Sequence, residues 1–384
     1  MSGKRRIAVV TTARADYGIY RPLLREIHDA LELELQLIVA AAHLDPRFDT
    51  VREIEADGFA TAARIEAPLE GDGPAAVARV MGRVTSGMAG ALERLRPDIL
   101  VALGDRSEMA AAVAAAAPFL VPVAHIAGGA ITKGAIDDGF RHAISKLSHI
   151  HFPETESQKA RLLRLGEEEW RIRVTGSLSI DNALSLKPLS LAEINARFGI
   201  ALAGSPLLAT LHPETRDLPH TRDHAHALIT ALDGREDFIV FTHPGADAGG
   251  GVIIAAIEDF ARRNTGRAFV VPHLGSEAYF SLMRLACAMI GNSSSGIIEA
   301  ASFGLPVVNI GGRQEGRLAP ANVLHCPAEP AAITAAIALA VSPAFRQSLA
   351  GLVNPYGQGK AAADMIATLK TVSLDDRLLR KGDF

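Results

Sequence analysis

The sequence predicts an α/β protein with two doubly wound parallel sheets, because short apolar runs alternate with longer helical stretches in two separate series. The apolar runs contain few charged residues, and strands that helices cover on both faces have this composition. We expect two Rossmann-like domains at residues 1–175 and 176–359, with a C-terminal helix, 360–384, that joins the first domain. Polar clusters at the predicted strand ends indicate a cleft between the domains, because open parallel sheets bind ligands at those ends.

The first series contains four predicted strands with helical stretches between them. The strands lie in RIAVVTT, LELQLIVAA, DILVALG and FLVPVAHIA, and the helices in YRPLLREIHDAL, AAVARVMGRVTSGMAGALERL and SEMAAAVAAAA. The second series begins near residue 205 and predicts strands in SPLLATLH, DFIVFTH, AFVVPHL, CAMIGN and PVVNIG. A further strand, RIRVTGS, is expected between the two series. Strands that alternate with helices in this order indicate parallel sheets.

The bulk composition excludes several classes of protein. The chain has 384 residues, 48% of them hydrophobic and 21% charged, which is typical of a well-buried soluble protein with more than one core. Its net charge of −4 gives no support to a nucleic-acid or anionic-membrane partner. Only Cys287 and Cys326 are present, so we expect no disulfide framework, no zinc site and a reducing, cytoplasmic location.

One apolar segment has features of a leader peptide and another has features of a membrane span. We interpret both as parts of the fold. The N-terminal segment MSGKRRIAVVTTARADYG has a short apolar part that ends at Arg14 and Asp16, which favours a first strand over a signal peptide. Residues 109–130 contain no Asp, Glu, Lys or Arg, but Pro118 and Pro122 interrupt them. A buried helix followed by a buried strand explains this composition, and we expect a soluble protein.

The chain lacks the fingerprints of two common nucleotide sites. No glycine-rich dinucleotide fingerprint follows the first strand and no Gly-Lys-Ser/Thr phosphate loop occurs, so a hydride-transfer enzyme is disfavoured. Histidines in HTRDHAH (220–226) and SHIHF (148–152) lack the usual glutamate or cysteine partners of zinc, and we interpret them as solvated or hydrogen-bonded residues. We therefore predict no metal and no cofactor.

A serine-rich junction, GNSSSGIIEAASFGLP (291–306), lies between an apolar run and a helical stretch. Such a strand–loop–helix junction presents backbone N–H groups and the positive end of a helix dipole, and serines add hydroxyl donors. Ser293, Ser294 and Ser295 therefore suit a phosphate group. A helix cap is the alternative interpretation of the same residues.

Carboxylates and cations form further clusters at the ends of predicted strands. Asp105 and Arg106 follow DILVALG, where an ordinary helix cap is the alternative. Asp137 and Asp138 precede a basic helix and suit an acid–base pair, whereas a capped helix with internal ion pairs is the alternative. The second domain adds polar residues that suit an anionic or sugar ligand, namely His212, Glu214, His243, Asp247, His273, Arg313 and Arg317.

Taken together, these motifs resemble the hydrolysing UDP-N-acetylglucosamine 2-epimerases, in the branch of that family that serves sialic-acid and legionaminic-acid synthesis. The matching segments run in order through both domains: TARADYG, LGDRSE, HIAGGAITKGAIDDGFRHAISKLSHIHF, RVTGS, HPET, THPGADAGG, GNSSSGIIEAASFGLPVVNIG and GRQEGR. The resemblance implies a fold like that of GT-B glycosyltransferases, with UDP in the C-terminal domain and the sugar in the cleft. It also implies a homodimer or a homotetramer.

The resemblance assigns roles to individual residues. The turn of Ser293, Ser294, Ser295 and Gly296 receives the diphosphate, and Glu299, one helical turn on, accepts the ribose hydroxyls. Further residues implied in nucleotide or sugar binding are Arg14, Asp16, His243, Asp247, Arg313 and Arg317, and His273 is a candidate for sugar binding because it is a polar residue at a predicted strand end. The family reaction eliminates UDP and then hydrates a glycal-like intermediate. By motif position, the candidates for proton transfer are Asp105, Asp137 and Asp138, with His212 near the diphosphate.

One residue departs from the family pattern. The family has Gly-Gly-Glu where this chain has Gly128, Gly129 and Ala130, and alanine cannot move a proton. Either a neighbouring carboxylate has replaced the glutamate, or the substrate differs, or the protein binds a nucleotide sugar without efficient turnover. We hypothesise retained activity with a shifted role for Asp137 or Asp138.

Three alternatives to a hydrolysing epimerase stay open at this point. A GT-B glycosyltransferase would share the UDP site, but the segments GDRSE and GAIDD disfavour it. A nucleotide-sugar sensor is suggested by Ala130. A non-hydrolysing epimerase is disfavoured by the segments SSSG and GRQEGR, which match the hydrolysing branch better.

Overall fold

The computed structural model describes residues 3–46, 50–71, 73–131, 137–214, 217–244 and 249–382. Contacts divide the chain into two compact units. Of the described residues, the N-terminal unit contains those within 3–131, 137–182 and 356–382, and the C-terminal unit contains those within 183–355. Each unit has its own six-stranded sheet.

The described part of the chain contains twelve strands. In the N-terminal unit they are β1 Arg5–Thr11, β2 Leu33–Ala40, β3 Thr61–Ile65, β4 Ile99–Leu103, β5 Val123–Ile126 and β6 Ile150–Phe152. In the C-terminal unit they are β7 Leu207–Thr210, β8 Ile239–Phe241, β9 Ala268–Val270, β10 Ala288–Gly291, β11 Val307–Ile310 and β12 Val323–Cys326. All neighbouring strands pair in parallel, which confirms the predicted fold class.

Sixteen α-helices connect the strands in the described ranges. The first seven are α1 Arg14–Asp29, α2 Val51–Ala56, α3 Pro74–Leu95, α4 Ser107–Ala116, α5 Asp137–Leu147, α6 Glu156–Arg164 and α7 Leu178–Ser185. The next seven are α8 Leu191–Phe198, α9 Thr221–Asp233, α10 Gly250–Arg263, α11 Gly275–Leu285, α12 Ser294–Ile298, α13 Pro330–Ala340 and α14 Pro343–Ser348. The last two are α15 Ala361–Thr371 and α16 Asp376–Leu379.

The N-terminal sheet has the strand order β3-β2-β1-β4-β5-β6, which places β1 and β4 at its centre. Ile7 and Val9 of β1 pack in a buried cluster with side chains of α1 and α15. Ala8 and Val10 point to the other face and pack with side chains of α3 and α4. Both faces of β1 are therefore covered, and this is why the strand has an uninterrupted apolar sequence.

The C-terminal sheet has the order β12-β11-β10-β7-β8-β9, with β10 and β7 at its centre. Leu207 and Ala209 of β7 pack in a buried cluster with α9, α10 and α13. Leu208 packs on the other face with side chains of α8 and α11. The loops that follow β11, β10 and β7 are therefore neighbours at the carboxyl edge of this sheet.

Three details of the secondary structure differ from the expectation. β3 and β12 lie at sheet edges and are partly exposed, so neither has the apolar run that marks a buried strand. The predicted strand RIRVTGS is wrong, because only Ile172 forms an isolated bridge, with His151. The strand in FLVPVAHIA begins only at Val123, because Ala117–Phe119 forms a 3-10 turn.

The uncharged segment 109–130 contributes most of α4, the 3-10 turn and β5. Six of the ten residues of α4 are alanine, and α4 packs in one buried cluster with α3 and the central strands. Small side chains allow this close packing, which explains the composition without a membrane. Among the helices that the structure describes, none has the length and apolar character to cross a bilayer.

Candidate functional site

The carboxyl ends of β1, β4 and β5 are neighbours at one edge of the N-terminal sheet. The loop after β1 leads to Asp16, the loop after β4 carries Asp105, and the loop after β5 carries Gly128–Ala130. Since parallel strands end at the same edge, these loops lie side by side. Three of the polar clusters seen in the sequence are thus brought together in the N-terminal unit.

Arg141 of α5 connects two of these loops. Its guanidinium forms an ion pair with Asp105, and its Nη1 donates a hydrogen bond of 3.0 Å to the carbonyl oxygen of Ala127. The side chain of Arg141 is 7% exposed and that of Asp105 is 22% exposed. A planar guanidinium holds two acceptors in fixed directions, so this residue ties α5 to the loops after β4 and β5.

Asp137 begins α5 beside another carboxylate. Burial raises the pKa of Asp137, and the charge of Asp105 raises it further. Arg106 and Arg141 oppose this shift without cancelling it. The raised pKa favours the protonated form of Asp137, so this carboxyl group suits an acid. Asp138 follows Asp137 in the same first helical turn.

Arg106 extends this charged cluster toward the loop after β1. Its Nη2 donates a hydrogen bond of 3.1 Å to Glu108. Desolvation lowers the pKa of Arg106, but the charges of Glu108 and Asp16 outweigh this effect and raise it. Asp16 is buried, and its Oδ2 accepts hydrogen bonds of 3.0 and 2.6 Å from the N–H and hydroxyl of Thr12. Asp16 therefore holds the loop in shape, and its contact with a nucleotide stays a prediction.

Arg14 and His43 lie on either side of the same loop. The side chain of Arg14 is 56% exposed, and its Nε donates a hydrogen bond of 3.0 Å to Glu53. His43 is buried and hydrogen-bonds through Nε2 to Thr11 at 2.9 Å and through Nδ1 to Thr50 at 2.8 Å. Burial lowers the pKa of His43 to about 4, so the imidazole is neutral. Arg14 is accessible to a ligand, provided that its exposed ion pair opens.

His125 fixes the loop after β4 to α5. Its Nε2 lies 2.8 Å from the carbonyl oxygen of Gly104, and its Nδ1 lies 3.0 Å from the hydroxyl oxygen of Ser145. Burial lowers the pKa of His125 to about 3, which leaves a neutral ring. Because a carbonyl oxygen only accepts, we assign the proton to Nε2, and Nδ1 then accepts from the Ser145 hydroxyl.

The Gly128–Ala130 segment passes close to α6. Gly129 has a φ of +75°, and a Cβ atom there would lie 2.4 Å from the carbonyl oxygen of Gln158, so only glycine fits. Arg161 Nη1 donates a hydrogen bond of 3.1 Å to the carbonyl oxygen of Gly129. Ala130 is partly exposed at this edge and brings no titratable group. The titratable groups at this edge are therefore those of the neighbouring loops and of α5.

In the C-terminal unit, Gly291 ends β10 at the serine-rich junction. Its φ is +130°, and a Cβ atom would lie 1.9 Å from the carbonyl oxygen of Thr210. Ser293 caps α12, and its Oγ accepts a hydrogen bond of 3.4 Å from the N–H of Ser295. α12 has only five residues before a 3-10 turn at Ala300–Phe303, so its macrodipole is small. The junction offers an anion mainly local N–H groups and serine hydroxyls.

Asn292 organises the residues around this junction. Its Oδ1 accepts a hydrogen bond of 2.6 Å from the N–H of His212, and its Nδ2 donates one of 2.9 Å to the His212 carbonyl oxygen. The Asn292 carbonyl oxygen accepts from Arg313 Nη1 at 3.1 Å and from Gln314 Nε2 at 2.8 Å. One asparagine therefore connects the loops after β7, β10 and β11, and it brings His212 and Arg313 close to the serines.

Glu299 and Tyr279 lie under the same junction. Glu299 follows α12 and is 7% exposed. Burial raises the pKa of Tyr279, although the nearby hydroxyl groups of Ser295 and Ser293 oppose the shift. The charge of Glu299 also raises the pKa of Tyr279, which places the carboxylate near the phenol. Tyr279 therefore lies beside the serines and Glu299.

Glu214 fixes the glycine pair that precedes Arg313. Its Oε1 accepts a hydrogen bond of 3.0 Å from the N–H of Gly312. Gly311 has a φ of +75°, and a Cβ atom there would lie 2.2 Å from the same carboxylate oxygen. Glu214 comes from the loop after β7, so this contact joins the HPET and GGRQEGR segments.

Four other predicted binding residues remain without a demonstrated role. His243 is largely buried, and its Nε2 lies 3.8 Å from Glu258 Oε1. His273 is exposed and Arg317 is partly exposed. Asp247 lies outside the described residues. Their assignment to UDP or sugar binding stays a prediction.

The histidine-rich segments take part in local pairs. His220 pairs with Asp217 at the start of α9, and His224 Nε2 lies 3.7 Å from the same carboxylate. His151 is buried and its Nε2 lies 2.9 Å from Glu167. Within the described ranges, no three His, Cys, Asp or Glu residues are arranged to hold a metal ion.

The sequence singles out the segments that contain His125, Arg141, Asn292 and Gln314, but it assigns these side chains no part in holding the predicted residues in place, and Tyr279 lies outside those segments. Two of them had a usable signal, because His125 and Asn292 are polar residues at the ends of buried strands. A buried polar side chain has to be hydrogen-bonded, and at a strand end its partners are the neighbouring loops.

The fold and these carboxyl-edge residues define a class of two-unit α/β protein with a GT-B-like architecture. The structure resembles the crystal structure of UDP-GlcNAc 2-epimerase from Neisseria meningitidis bound to UDP-GlcNAc, with a TM-score of 0.81 and 20% sequence identity. The match covers 95% of this chain and 99% of that chain. At this identity the similarity shows the fold alone.

Sequence comparison shows the family. The family described as UDP-N-acetylglucosamine 2-epimerase matches residues 25–370. The chain is 38% identical to the GDP/UDP-N,N'-diacetylbacillosamine 2-epimerase (hydrolyzing) of Campylobacter jejuni over 84% of both chains. It is 35% identical to the UDP-N,N'-diacetylbacillosamine 2-epimerase (hydrolyzing) of Legionella pneumophila over 98% of both chains. The chain belongs to the UDP-N-acetylglucosamine 2-epimerase family, which confirms the resemblance found in the sequence.

Proposed function

We propose that this protein is a hydrolysing 2-epimerase that converts a UDP-N-acetylated hexosamine and water into the free 2-epimer and UDP. The observation that carries the proposal is the pair Asp105 and Asp137, held between Arg106 and Arg141 at the carboxyl edge of the N-terminal sheet. Family membership supports the reaction type. The names of the two relatives favour a 2,4-diacetamido-2,4,6-trideoxy sugar over N-acetylglucosamine as the hexosamine.

The C-terminal unit holds UDP in this proposal. The diphosphate binds the N–H groups and hydroxyls of Ser293, Ser294 and Ser295, with Arg313 supplying positive charge beside them. Glu299 accepts the ribose hydroxyls, which suits a carboxylate because it offers only acceptors. The close hydrogen bonds of Asn292 to both neighbouring loops support this arrangement, because they preorganise the donors.

The N-terminal unit supplies the proton transfers. An ionised carboxylate removes the C2 proton, the C1–O bond breaks with its electron pair, and UDP leaves with that pair. Water then adds its hydroxide to C1, and a proton returns to C2 on the opposite face. We assign the base to Asp105, which is ion-paired with Arg141, and the acid to Asp137, whose raised pKa favours retention of a proton. His212 stands near the leaving diphosphate.

Ala130 is explained by the same pair. The family glutamate is absent at this position, but Asp137 lies at the same carboxyl edge and is perturbed by Asp105. Asp137 therefore takes over the missing proton transfer, as the sequence analysis hypothesised. Asp138 is the second candidate, and variants separate the two.

Proton NMR in D2O tests the proposal. The purified protein is incubated with the UDP-2,4-diacetamido-trideoxy sugar and, separately, with UDP-N-acetylglucosamine. We expect UDP and the free 2-epimer with deuterium at C2, and a loss of turnover of about a hundredfold or more in D137N. Asp376→Asn is the matched control, because Asp376 lies in an exposed ion pair with Arg380.

Other outcomes would redirect the proposal. Tight UDP-sugar binding without UDP release, for both substrates, would make the protein a nucleotide-sugar sensor. Full turnover in D137N and D138N would remove the assignment of the α5 carboxylates. Retention of UDP on the epimerised sugar would indicate the non-hydrolysing reaction.

We also propose the setting in which the protein acts. The N-terminal functional domain comprises residues 1–175 and 360–384, and the C-terminal functional domain comprises residues 176–359. The protein is a cytoplasmic homodimer or homotetramer. The net charge of −4 supports the absence of nucleic-acid and membrane partners. Light scattering of the purified protein measures the oligomeric state, and a monomeric mass would contradict this part of the proposal.

A further inference from the structure

The C-terminal segment of the chain is fixed to the N-terminal unit by a buried arginine. Arg171 is 3% exposed. Its guanidinium donates hydrogen bonds to three carbonyl oxygens of this segment, those of Leu378 at 2.7 Å, Arg377 at 2.9 Å and Arg380 at 2.8 Å. These bonds hold the backbone around α16 and place the following residue, Lys381, in a defined position.

Lys381 in turn binds the C-terminal end of α5. Its Nζ donates hydrogen bonds to the carbonyl oxygens of Ser145 at 3.3 Å and Lys146 at 2.9 Å. Carbonyl groups in the last turn of a helix lack partners within the helix, and a cation there also interacts favourably with the helix dipole. Lys381 is therefore a cap for α5 that comes from a distant part of the chain.

A buried carboxylate holds Lys381 in place. Glu167 has a side chain that is 0% exposed, and its oxygens lie 2.7 and 2.8 Å from Lys381 Nζ. It also pairs with His151 at 2.9 Å and with Lys146 at 3.1 Å. Burial raises the pKa of Glu167, but the hydrogen bonds from His151 and Lys381 outweigh this effect and bring it to about 2. The carboxylate is thus ionised at neutral pH.

The opposite half of α5 carries the residues proposed for catalysis. The helix has 11 residues, so its two ends lie about 16 Å apart. Asp137 stands in the first turn, and Arg141 reaches back to Asp105. Ser145, whose carbonyl oxygen accepts from Lys381, hydrogen-bonds through its hydroxyl to His125. A small change in the axis of α5 would move Asp137 and Arg141 relative to Asp105.

We propose that Lys381 is a positioning residue for the epimerase reaction: it fixes α5 from its C-terminal end so that Asp137 and Arg141 face Asp105. This inference rests on the proposed function. It assigns to the C-terminal segment a part in proton transfer that acts through α5. We do not expect Lys381 to affect UDP binding. Apart from Arg14 and Asp16, the residues proposed to bind UDP lie in the C-terminal unit, whereas Lys381 lies in the N-terminal unit.

The test compares Lys381→Met with Lys370→Met. Lys370 also lies in the C-terminal segment, but it pairs with Glu32 at 3.1 Å on the surface and is not linked to α5. In K381M we expect kcat to fall by about ten- to a hundredfold, since misplacement by about 1 Å has this effect, while the KM for the UDP-sugar and the affinity for UDP stay within about twofold. K370M is expected to match the wild type.

A pH profile separates positioning from general loss of structure. Asp137 is faced by Asp105, Arg106 and Arg141, and burial and Asp105 raise its pKa. If α5 loosens, Asp137 becomes more exposed and its pKa falls toward the ordinary value. The limb of the pH–rate profile that depends on Asp137 should therefore move to lower pH in K381M. A merely structural residue would lower the amount of folded enzyme and leave this limb in place.

Hydrogen exchange gives a readout that does not depend on activity. The amides of α5 should exchange faster in K381M than in the wild type or K370M. Unchanged exchange in α5, or faster exchange with unchanged kcat, would overturn the inference. If the wild type has no epimerase activity, the proposed function fails, and hydrogen exchange still reports whether Lys381 fixes α5.

A conservative variant covers the case in which K381M does not fold. Lys381→Arg keeps the positive charge beside Glu167 but moves the donors away from their two carbonyl oxygens. We expect K381R to have a lower kcat and faster α5 exchange than the wild type and K370M. Both changes should be smaller than in a protein whose α5 is disrupted. Wild-type kcat and exchange in K381R, next to an unfolded K381M, would show that only the buried charge matters and would overturn the inference.

Discussion

Arg141 shows how one side chain sets both the geometry and the protonation of the carboxylates around it. It pairs with Asp105, and its positive charge limits the rise in the pKa of Asp137. An arginine serves here better than a lysine, because the same group also donates to the carbonyl oxygen of Ala127. The residue is therefore central to the proposed division of the two aspartates into base and acid.

Replacing Arg141 by methionine should affect the pH dependence as well as the rate. Without the cation, the pKa of Asp137 rises further, so the limb of the pH–rate profile that depends on Asp137 moves to higher pH. We also expect a loss of about 1–3 kcal/mol in the free energy of unfolding, because the bonds of Arg141 to Asp105 and to the Ala127 carbonyl oxygen are lost from a largely buried site. Arg262→Met, which removes an exposed pair with Asp259, is the control and should change neither quantity.

Asn292 offers a second test at a single residue, with a matched control in the same unit. Asn292→Ala removes the two hydrogen bonds that Asn292 makes with the backbone of His212, and we expect a cost of about 1–3 kcal/mol and weaker UDP binding. Asn195 makes the same pair of hydrogen bonds with the backbone of Leu202, each 3.0 Å long. It lies far in the sequence from the serine-rich junction. Titration calorimetry with UDP should show a loss in N292A and normal affinity in N195A. Equal affinities would contradict the role of Asn292.

Among the elements, the junction of β10 and α12 is the one whose form most affects the proposed site. The chain leaves β10 through Gly291 with a positive φ and passes against the carbonyl oxygen of Thr210. This close approach brings the serines to the edge of the sheet. The helix behind them is short, so the donors of the first turn act locally.

Gly291→Ala should disrupt this junction. Its Cβ atom would lie 1.9 Å from the carbonyl oxygen of Thr210, so β7 and β10 have to separate locally. We expect a lower melting temperature for the C-terminal unit and a loss of UDP binding, measured by calorimetry. Gly251→Ala is the control, since a Cβ atom at this position of α10 meets nothing within 4 Å. Normal UDP affinity in G291A would show that the junction does not bind the nucleotide.

The sequence predicts buried elements better than edge elements, and the reason is physical. β1 and β7 are covered on both faces, so their apolar runs are unbroken. β3 and β12 are covered incompletely at the sheet edges and leave no such pattern. The strand predicted at residues 171–177 is wrong because the alternation of residues there does not reflect a sheet. Arg171 in this segment is buried, and it binds the C-terminal segment instead.

The candidate site is predictable only in part for a related reason. Motif positions indicate residues such as Asp105 and Ser293, whose neighbours in the chain are characteristic. The partners that hold them are distant in sequence, as Arg141 is from Asp105 and Asn292 from His212. Such pairings depend on the order of the strands in each sheet, which the local pattern does not contain.

At the scale of the whole molecule, the buried histidines predict an acid-sensitive fold. Burial lowers the pKa of His43 to about 4, of His125 to about 3 and of His149 to about 4, all in the N-terminal unit. Below an unfolded pKa of 6.5, the unfolded chain binds protons that the folded chain does not. Stability is therefore full above pH 6.5 and falls as the pH drops toward the folded values.

We expect the free energy of unfolding to fall by at least about 3 kcal/mol between neutral pH and pH 5, since one pKa unit corresponds to about 1.4 kcal/mol. Hydrogen exchange at pH 5 should show peptides of the N-terminal unit opening before those of the C-terminal unit. His220→Gln is the control, because His220 is an exposed residue of the C-terminal unit. A melting temperature that does not change from pH 7 to pH 5 would contradict this expectation.

The return of residues 356–382 to the N-terminal unit also affects the order in which the protein forms during synthesis. The C-terminal unit is continuous within residues 183–355, whereas the N-terminal unit needs α15 and Lys381, which the ribosome adds later. Domains that form as the chain emerges usually do so from the N-terminus onward. Here the second unit can complete its core while the first still waits for α15, so a nascent chain stalled before residue 356 would carry a complete core in the C-terminal unit and an N-terminal sheet that has all six strands but lacks the helix that covers one of its faces.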